Sequence, residues 1–367
     1  MSIDPEPGLS RRAVLRGGLA AAAGVVVAAC GSSASGGSGK PVATGRPTTP
    51  APGSGTPSAG PSSASQAPPP DPAEIKANEL GYVPVMMYHR ITADVLGEFD
   101  TTPKDFRAGL QRLFSRGYRP VRTIDLARGE LDVAAGYTPV VLSFDDGYSD
   151  QYRVSATGEV DPESGVGILL DTCKEFPDCP PAGSFNINKN PFALDDPDHQ
   201  RVGLAKLHEL GFEIANHTFN HDNLAQLGAT GVQEDFVKLQ RLVETAVPGA
   251  SVLTMALPFG VSPRRKSLAH TGQWQGEKYV NEGVLLVGAN PSHSPFSDKF
   301  DPLAIPRIRS TSWQHGRVPF TAKYWLDYLD HHKDLRYVSA GNPGHVTVPR
   351  SWRSGVDRRY RSKLVTY

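Results

Sequence analysis

The sequence has little cysteine and no excess of charge of either sign. Its 367 residues include 3 Cys, and 38 Lys and Arg are matched by 38 Asp and Glu, so the formal net charge is +0. This balance gives no indication of a nucleic-acid partner or of an anionic surface as a partner. The chain has no internal repeat, and its longest apolar run is shorter than the roughly 20 residues of a membrane-spanning helix.

The amino-terminal segment carries the features of an export signal. Arg11 and Arg12 precede an apolar stretch, Leu19–Ala29, and Cys30 follows two small residues. This order predicts a twin-arginine signal over residues 1–30 that ends in a lipoprotein site, with Cys30 lipidated. The alternative is an ordinary cleaved signal with an incidental Cys. The lipidated form predicts an extracytoplasmic protein that is anchored to the cell membrane.

Composition divides the rest of the chain into three parts. Residues 31–75 are mostly Gly, Ser, Pro, Ala and Thr, and so little apolar surface does not offset the entropy of ordering. We therefore predict a disordered linker there. Residues 76–350 are predicted to form one domain with a sizeable core. Residues 351–367 are rich in Arg and are predicted to be a solvated basic tail.

Two cysteines remain if Cys30 is lipidated. Cys173 and Cys179 are close in sequence, and disulfides are common in exported proteins. The sequence therefore predicts a Cys173–Cys179 disulfide. The alternative is a pair of unpaired thiols between a helix and a loop.

Strand-like and helix-like patterns alternate along the predicted domain. Val140–Phe144 is a continuous apolar run, which is typical of a parallel strand buried on both faces. A helix is predicted to begin at Thr102-Pro103 and to end at Gly117. Further strands are predicted at 84–88, 184–187, 212–215, 252–256, 284–287 and 304–308, and further helices at 165–176, 201–210, 232–247 and 321–332. This alternation predicts an α/β fold with a parallel sheet, and periodicity alone leaves open whether the sheet forms a barrel.

Two polar motifs each follow a short apolar run. Asp145 and Asp146 follow the strand at 140–144, and His217 and His221 follow the strand at 212–215. Two His and one carboxylate can hold a divalent metal and leave coordination positions open, and the second carboxylate can act as a base. The alternative is an Asp-Gly turn and an unrelated His pair.

Five segments together resemble a known family. Ser143–Gly147, His217–His221 and Leu257–Gly260 resemble the three main motifs of the polysaccharide deacetylases, the NodB-homology group of carbohydrate esterases. Val85–Ile91 and Ile305–Ile308 resemble the first and last strands of a branch that includes the poly-N-acetylglucosamine deacetylases.

This resemblance implies a fold, a metal and a reaction. The expected fold is a distorted (β/α) barrel of about seven parallel strands, with catalytic residues at the carboxyl ends of the strands. Asp146, His217 and His221 are implied to be ligands of a divalent metal, with zinc expected, and Asp145 is implied to be the base. The implied reaction removes acetyl groups from N-acetylated sugars.

The sequence departs from the family pattern at two places. The third motif usually begins with an Arg that pairs with the base, and Ala256 occupies that position. Arg307, at the end of a late strand, is predicted to supply the charge instead, and the alternative is a salt bridge at the rim. The family's Leu-x-His is also absent, so the general acid stays open among four candidates: His89, His293, His315 and His345.

Aromatic and turn residues at strand ends are candidates for binding a sugar. We predict that role for Tyr148, Pro258, Phe259, Gly260 and Trp313, and the alternative for each is core packing or a simple turn. The predicted partner is an acetylated polysaccharide or peptidoglycan. Two alternatives to an N-deacetylase remain, namely an O-acetyl esterase and a carbohydrate-binding lipoprotein with impaired catalysis.

Overall fold

In the computed structural model, strands and helices alternate as the sequence predicts. The structure describes residues 70–312, 314 and 318–367. The predictions for residues 1–69, including Cys30, and those for Trp313 and His315 lie outside the described residues.

The elements are numbered in chain order. The strands are β1 Val85–Tyr88, β2 Arg90–Ile91, β3 Asp100–Thr101, β4 Tyr118–Val121, β5 Thr138–Asp145, β6 Ser184–Ile187, β7 Glu213–Asn216, β8 Thr254–Ala256, β9 Thr271–Trp274, β10 Glu277–Val280, β11 Gly283–Leu285, β12 Ile308–Arg309, β13 Val346–Val348 and β14 Leu364–Thr366. The helices are α1 Pro103–Ser115, α2 Thr123–Arg128, α3 Gly165–Lys174, α4 Pro197–Glu209, α5 Ala229–Ala246 and α6 Ala322–His331.

The main sheet is parallel and closes into a distorted barrel. Its strands follow the order β11-β8-β7-β6-β5-β1-β12, and β4 pairs with the first half of β5. A parallel bridge from Leu285 to Ile305 joins β11 to the segment that leads into β12, and β12 pairs with β1. The ring of strands is thereby complete, which confirms the predicted fold.

β5 runs through the centre of the core. All of its residues are buried, and Val140, Val141 and Leu142 have no exposed surface. Phe144 stacks on Phe185 of β6 with ring centroids 4.6 Å apart. An apolar strand with neighbours on both edges and packing on both faces is held rigidly, and its carboxyl end therefore gives a fixed position to the residues that follow.

The helix boundaries are set by caps. Thr102 accepts a hydrogen bond from the backbone N–H of Asp105 and caps α1 at the predicted residue. α4 begins four residues before its predicted start, because Asp196 caps it and Pro197 occupies its first turn. Among the described residues, no helix is both long and apolar enough to cross a membrane.

The two described cysteines, Cys173 in the last turn of α3 and Cys179 after it, are not joined in this structure. Cys173 and Cys179 are buried free thiols, and their Sγ atoms lie 3.3 Å apart. The disulfide is not formed in this structure, because the two sulfurs lie at the distance of a thiol–thiol hydrogen bond and an S–S bond needs about 2.05 Å. The oxidised pair remains a prediction that alkylation of the exported protein, with and without prior reduction, tests.

The residues beyond 350 are folded. β14 lies in the segment that is predicted to be a solvated tail, and it pairs in parallel with β13. Tyr367 donates a hydrogen bond to the backbone carbonyl of Ala77 at 2.8 Å. The end of the chain therefore packs beside the segment that leads into β1.

Candidate active site

The predicted site residues meet at the carboxyl ends of three barrel strands, and the segment that leads into β12 brings Arg307 to them. Asp145 ends β5 and Asp146 follows it, while His217 directly follows β7. Phe259 follows β8 in a short turn, and Arg307 directly precedes β12. Parallel strands place their carboxyl ends on one side of the barrel, so residues far apart in sequence share one edge.

Asp146, His217 and His221 form a compact cluster of metal-ligating groups. The Asp146 Oδ1 atom lies 3.3 Å from His217 Nε2 and 3.2 Å from His221 Nε2, and the donor atoms all lie within 4.8 Å of one another. His217 Nδ1 lies 2.9 Å from the carbonyl oxygen of Ala256. This contact fixes Nδ1 as the protonated nitrogen and leaves the Nε2 lone pair free, as metal-binding His residues require. The donor set therefore fits a divalent cation.

The electrostatics of the cluster also favour a cation. Burial lowers the pKa of His217, but Asp145 and Asp146 raise it by more, so the net pKa lies above its ordinary value. Asp145 is paired with Arg307, so the remaining negative charge is that of Asp146, which a bound divalent cation neutralises.

The backbone around the cluster is held in unusual conformations. Asp146, Thr218, His221 and Phe259 all have positive φ angles, between 57° and 72°. Such conformations cost about 1–3 kcal/mol each for residues other than Gly, and they persist where the surroundings hold them. The local sequence does not favour them, and their occurrence together marks this edge of the barrel as specialised.

A carboxylate on α5 holds the loop that carries both histidines. Asp235 is buried, and its Oδ1 accepts hydrogen bonds from the backbone N–H and the side-chain amide of Asn220, at 3.1 and 2.9 Å. Asn216 Oδ1 accepts from the backbone N–H of Thr218 at 2.7 Å. The loop at 217–221 is thus fixed from two sides.

Arg307 lies against the predicted base. It is fully buried, and its Nη1 and Nη2 atoms donate to the two Asp145 oxygens at 2.7 Å each. Asn186 Nδ2 donates to Asp145 Oδ1 at 2.9 Å. Burial alone raises the pKa of Asp145. The positive charges of Arg307 and then His217 lower the pKa by a larger amount, so the net pKa lies well below its ordinary value. The segment that leads into β12 therefore supplies the guanidinium that is absent at Ala256.

One of the four general-acid candidates lies at the site. His89 Nε2 is 3.7 Å from Asp145 Oδ2, and the imidazole packs on Phe99 with ring centroids 4.7 Å apart. Its buried Nδ1 has no hydrogen-bond partner within the described part of the chain. Burial lowers the pKa of His89, against the opposing effect of Asp145 and Asp146.

The other described candidates lie elsewhere. His293 packs on Tyr82, which precedes β1 at its amino-terminal end. The exposed His345 is 2.9 Å from the side-chain amide of Asn342. Neither contacts the cluster through these partners, and His89 is therefore the candidate that the fold brings to Asp145.

A cavity of about 350 Å³ opens beside the cluster. Its lining residues are Asp146, Gly147, Tyr148, Asn188, Asn190, Ala193 and His221. Asn188 and Asn190 were not predicted from the sequence, although both follow the strand β6 and such a position could have indicated them.

The predicted sugar-binding residues differ in exposure. Phe259 is 63% exposed and contacts the edge of His221, with ring centroids 4.7 Å apart, and Tyr148 is 37% exposed. Pro258 is buried and has no surface to offer a ligand, so it shapes the turn after β8. Gly260 has a φ of +67° and lies against Val287, which leaves no room for a side chain.

The chain is similar in sequence to known polysaccharide deacetylases. Residues 133–271 match the family model described as polysaccharide deacetylase. A chitooligosaccharide deacetylase of Sinorhizobium fredii is 30% identical over 141 residues, which cover 38% of this chain and 56% of that protein. The chain thus aligns with little more than half the length of this relative.

Solved structures of deacetylases were also found. A Streptococcus pyogenes deacetylase in complex with acetate has a TM-score of 0.48 at 16% identity, over 67% of this chain and 97% of that one. A polysaccharide deacetylase from Bacillus cereus has the same TM-score and identity, over 67% of this chain and 68% of that one.

The family match and the site coincide. The matched residues include Asp145, Asp146, His217 and His221, while His89 and Arg307 lie outside them. The part of the chain that is similar to polysaccharide deacetylases is therefore the part that carries both predicted metal motifs.

Proposed function

We propose that this protein is a metal-dependent hydrolase that removes acetyl groups from N-acetylated sugars of a cell-wall or extracellular polysaccharide and releases acetate. One observation carries the proposal: a paired and ionised carboxylate, Asp145, directly adjoins the ligand cluster of Asp146, His217 and His221. The match of residues 133–271 to the polysaccharide deacetylase family model supports deacetylation.

Asp146, His217 and His221 would hold the cation, and zinc is the metal we propose. When bound, such a cation supplies Lewis acidity, which polarises a carbonyl group and makes a water molecule more acidic. The backbone N–H that follows Gly147 lines the same cavity and is proposed to donate to the developing oxyanion.

Asp145 is proposed to accept a proton from the attacking water. Both of its oxygens accept hydrogen bonds from Arg307, which orients the carboxylate and keeps it ionised. Asn186 also donates to Oδ1, but Oδ2 accepts from Arg307 alone and keeps a second lone pair, which can accept a proton.

His89 is proposed to donate a proton to the departing amine. Its Nε2 lies within 4 Å of Asp145, so a proton can pass between them with little movement. Because burial lowers its pKa, His89 gives up a proton readily once it carries one.

The exposed rings of Phe259 and Tyr148 are proposed to contact the sugar, together with Asn188 and Asn190, whose amides can bind hydroxyl or acetamido groups. The name of the Sinorhizobium relative suggests oligomers of N-acetylglucosamine as the first substrates to test. Location outside the cytoplasm, with a lipid on Cys30, remains part of the proposal.

The experiment measures acetate release by the zinc-loaded chain from N-acetylglucosamine oligomers, from peptidoglycan and from an O-acetylated glycan. Mass analysis of the treated glycans separates loss of N-acetyl from loss of O-acetyl groups. Asp145→Asn and metal-free protein are the matched controls. Acetate from the O-acetylated glycan alone would favour the esterase, and no acetate from any substrate with metal bound would favour the impaired binding protein.

A further inference from the structure

The end of the chain carries a concentrated positive charge. Six exposed side chains form what we call the C-terminal basic surface: Arg350, Arg353, Arg358, Arg359, Arg361 and Lys363. Asp357 is the one carboxylate within residues 350–363, so the net charge of this segment is +5. The neutral total charge of the chain conceals this local excess.

Little of this charge is neutralised by the protein. In the part of the chain that the structure describes, the one ion pair of this surface joins Arg359 to Asp357, with Nε and Oδ1 3.2 Å apart. An exposed cation elsewhere, Arg128, is paired more closely, with Glu282 at 2.7 Å.

The surface is held in place by the core. The Tyr360 ring packs on Phe296 with centroids 5.0 Å apart, and the buried Val356 forms a backbone bridge with Ser297. β14 follows directly and pairs with β13. The charges are therefore displayed on a folded surface, in contrast to a free tail that would carry them in many arrangements.

This surface lies at the end of the barrel opposite the candidate active site. Ala77 accepts a hydrogen bond from Tyr367 and leads into β1 at its amino-terminal end. Thr138, at the amino-terminal end of β5, donates to the carbonyl of Tyr337 at 2.6 Å, and the Tyr337 ring lies 6.4 Å from that of Phe296, on which Tyr360 packs. At about 3.3 Å per residue, β5 separates this end from Asp145 by roughly 23 Å.

The attachment point of the predicted anchor lies on the same side. Residues 1–69 join the described domain at Pro70, a few residues before Ala77. A lipid on Cys30 would tether the domain through this attachment point.

We propose that the C-terminal basic surface docks on an anionic phospholipid membrane and holds the active site facing away from it. The proposal rests on the proposed location at the membrane and is independent of catalysis. A membrane fits better than an anionic polymer of the wall, because the surface adjoins the attachment point and lies on the face opposite the cleft. One acyl chain with a polybasic surface is a combination that gives stable membrane attachment.

The experiment uses the mature chain, residues 30–367, with Cys30→Ser so that no acyl group contributes. Binding is measured by co-sedimentation with phosphatidylglycerol/phosphatidylcholine vesicles and with pure phosphatidylcholine vesicles. The test variant combines Arg353→Gln, Arg358→Gln and Arg361→Gln. The matched control removes three exposed charges elsewhere, through Arg265→Gln, Lys266→Gln and Lys278→Gln.

We expect binding to the anionic vesicles alone, with a partition coefficient about 100-fold lower in the test variant, at about fivefold per charge. The control variant should bind as the parent does. Salt at about 1 M should abolish binding, because it shortens the Debye length to about 3 Å. Circular dichroism and acetate release from a soluble oligomer, unchanged in both variants, exclude misfolding.

Two results would overturn the proposal. One is equal binding to charged and neutral vesicles, or an equal loss in both triple variants. The other is capture of the chain by soluble poly(glycerol phosphate) in preference to vesicles of equal phosphate content, which would assign the surface to a wall polymer.

Discussion

At the scale of single residues, the pair of Asp145 and Arg307 is the strongest electrostatic feature of the site. Both side chains are buried, and the contact is bidentate. Loss of one partner from a buried pair is costly, because the remaining charge has no compensation. The pair therefore ties the protonation of Asp145, the proposed base, to a residue that is distant in sequence.

Arg307→Ala should raise the pKa of Asp145. The guanidinium lowers this pKa against the effect of burial, so its removal moves the pKa upward. The acidic limb of kcat/KM plotted against pH should then shift to higher pH. Arg307→Lys keeps a positive charge but not the two parallel hydrogen bonds of the guanidinium, so it should shift the acidic limb less. An unmoved limb in both variants would mean that Arg307 does not tune the base.

Substitution of Asp145 and substitution of Asp146 should have different effects on metal binding and on turnover. Asp145→Asn should retain metal and lose about 10²- to 10⁴-fold in turnover, because an amide does not accept the proton. Asp146→Asn should chiefly weaken metal binding, because a neutral oxygen is a poorer ligand for a divalent cation. Metal content by mass spectrometry, together with acetate release, distinguishes them. The assignment fails if Asp146→Asn keeps full metal occupancy.

A third residue-scale prediction concerns His217 and His221. Either His→Ala change should remove the metal and the activity while the fold survives, since the barrel core does not depend on these side chains. Circular dichroism with metal analysis tests this, and full occupancy in both variants would contradict the ligand assignment.

At the scale of elements, the helix α5 positions the loop at 217–221, which carries both histidines, through Asp235. Asp235→Ala should lower zinc affinity about 10- to 100-fold, the usual effect of losing a group that supports metal ligands. Asp235→Asn keeps an oxygen that can accept from the Asn220 backbone and should recover part of that loss. Competition with a chromophoric chelator measures both affinities. Equal zinc affinity in the parent and both variants would show that the loop holds its shape without α5.

A buried carboxylate joins the start of the domain to its end. Glu79 accepts hydrogen bonds from the backbone N–H groups of Ala340 and Thr347, at 2.9 and 2.7 Å. Burial raises its pKa to about 7, against the lowering effect of these two bonds. A raised pKa in the folded state means that Glu79 contributes most stability below its unfolded pKa near 4.5 and loses it as pH rises through about 7.

Glu79→Gln should remove this pH dependence. The parent should lose up to ~3 kcal/mol between pH 4.5 and 7 from this group, at about 1.4 kcal/mol per unit of pKa. The variant should show a flatter curve of unfolding free energy over that range. Urea unfolding at several pH values is the measurement, and parallel curves for the two proteins would rule out the role given to Glu79.

At the scale of the whole molecule, sequence patterns predicted the main barrel strands, because buried parallel strands form continuous apolar runs. β4 was not predicted, since Arg119 and Pro120 interrupt any such pattern. Arg119 is nevertheless buried, and it donates to the carbonyls of Phe114 and Tyr118. Arg119 also donates to the carbonyl of Pro177 at 3.2 Å, a distant partner that only the tertiary fold supplies.

Candidate site residues could be predicted from the sequence where they lie in local motifs. They could not be predicted where only the fold brings them together. The motifs at Asp145–Asp146 and His217–His221 each lie within a few residues. The sequence did not distinguish His89 from three other candidates for the general acid. The reason is that the distance from His89 to Asp145 depends on how β1 pairs with β5. The position of the charges near the end of the chain likewise depends on contacts with residues 77–80 and 294–298.

The closure of the barrel by residues 302–309 has a practical consequence for the size of the functional unit. A fragment limited to residues 133–271 would contain both metal motifs and yet lack His89, Arg307 and the strands that complete the ring. Its Asp145 would be an uncompensated charge facing an open edge. A translating ribosome must therefore synthesise the chain beyond Arg307 before the pair with Asp145 can form, and a fragment trimmed on either flank would lack Arg307 or His89.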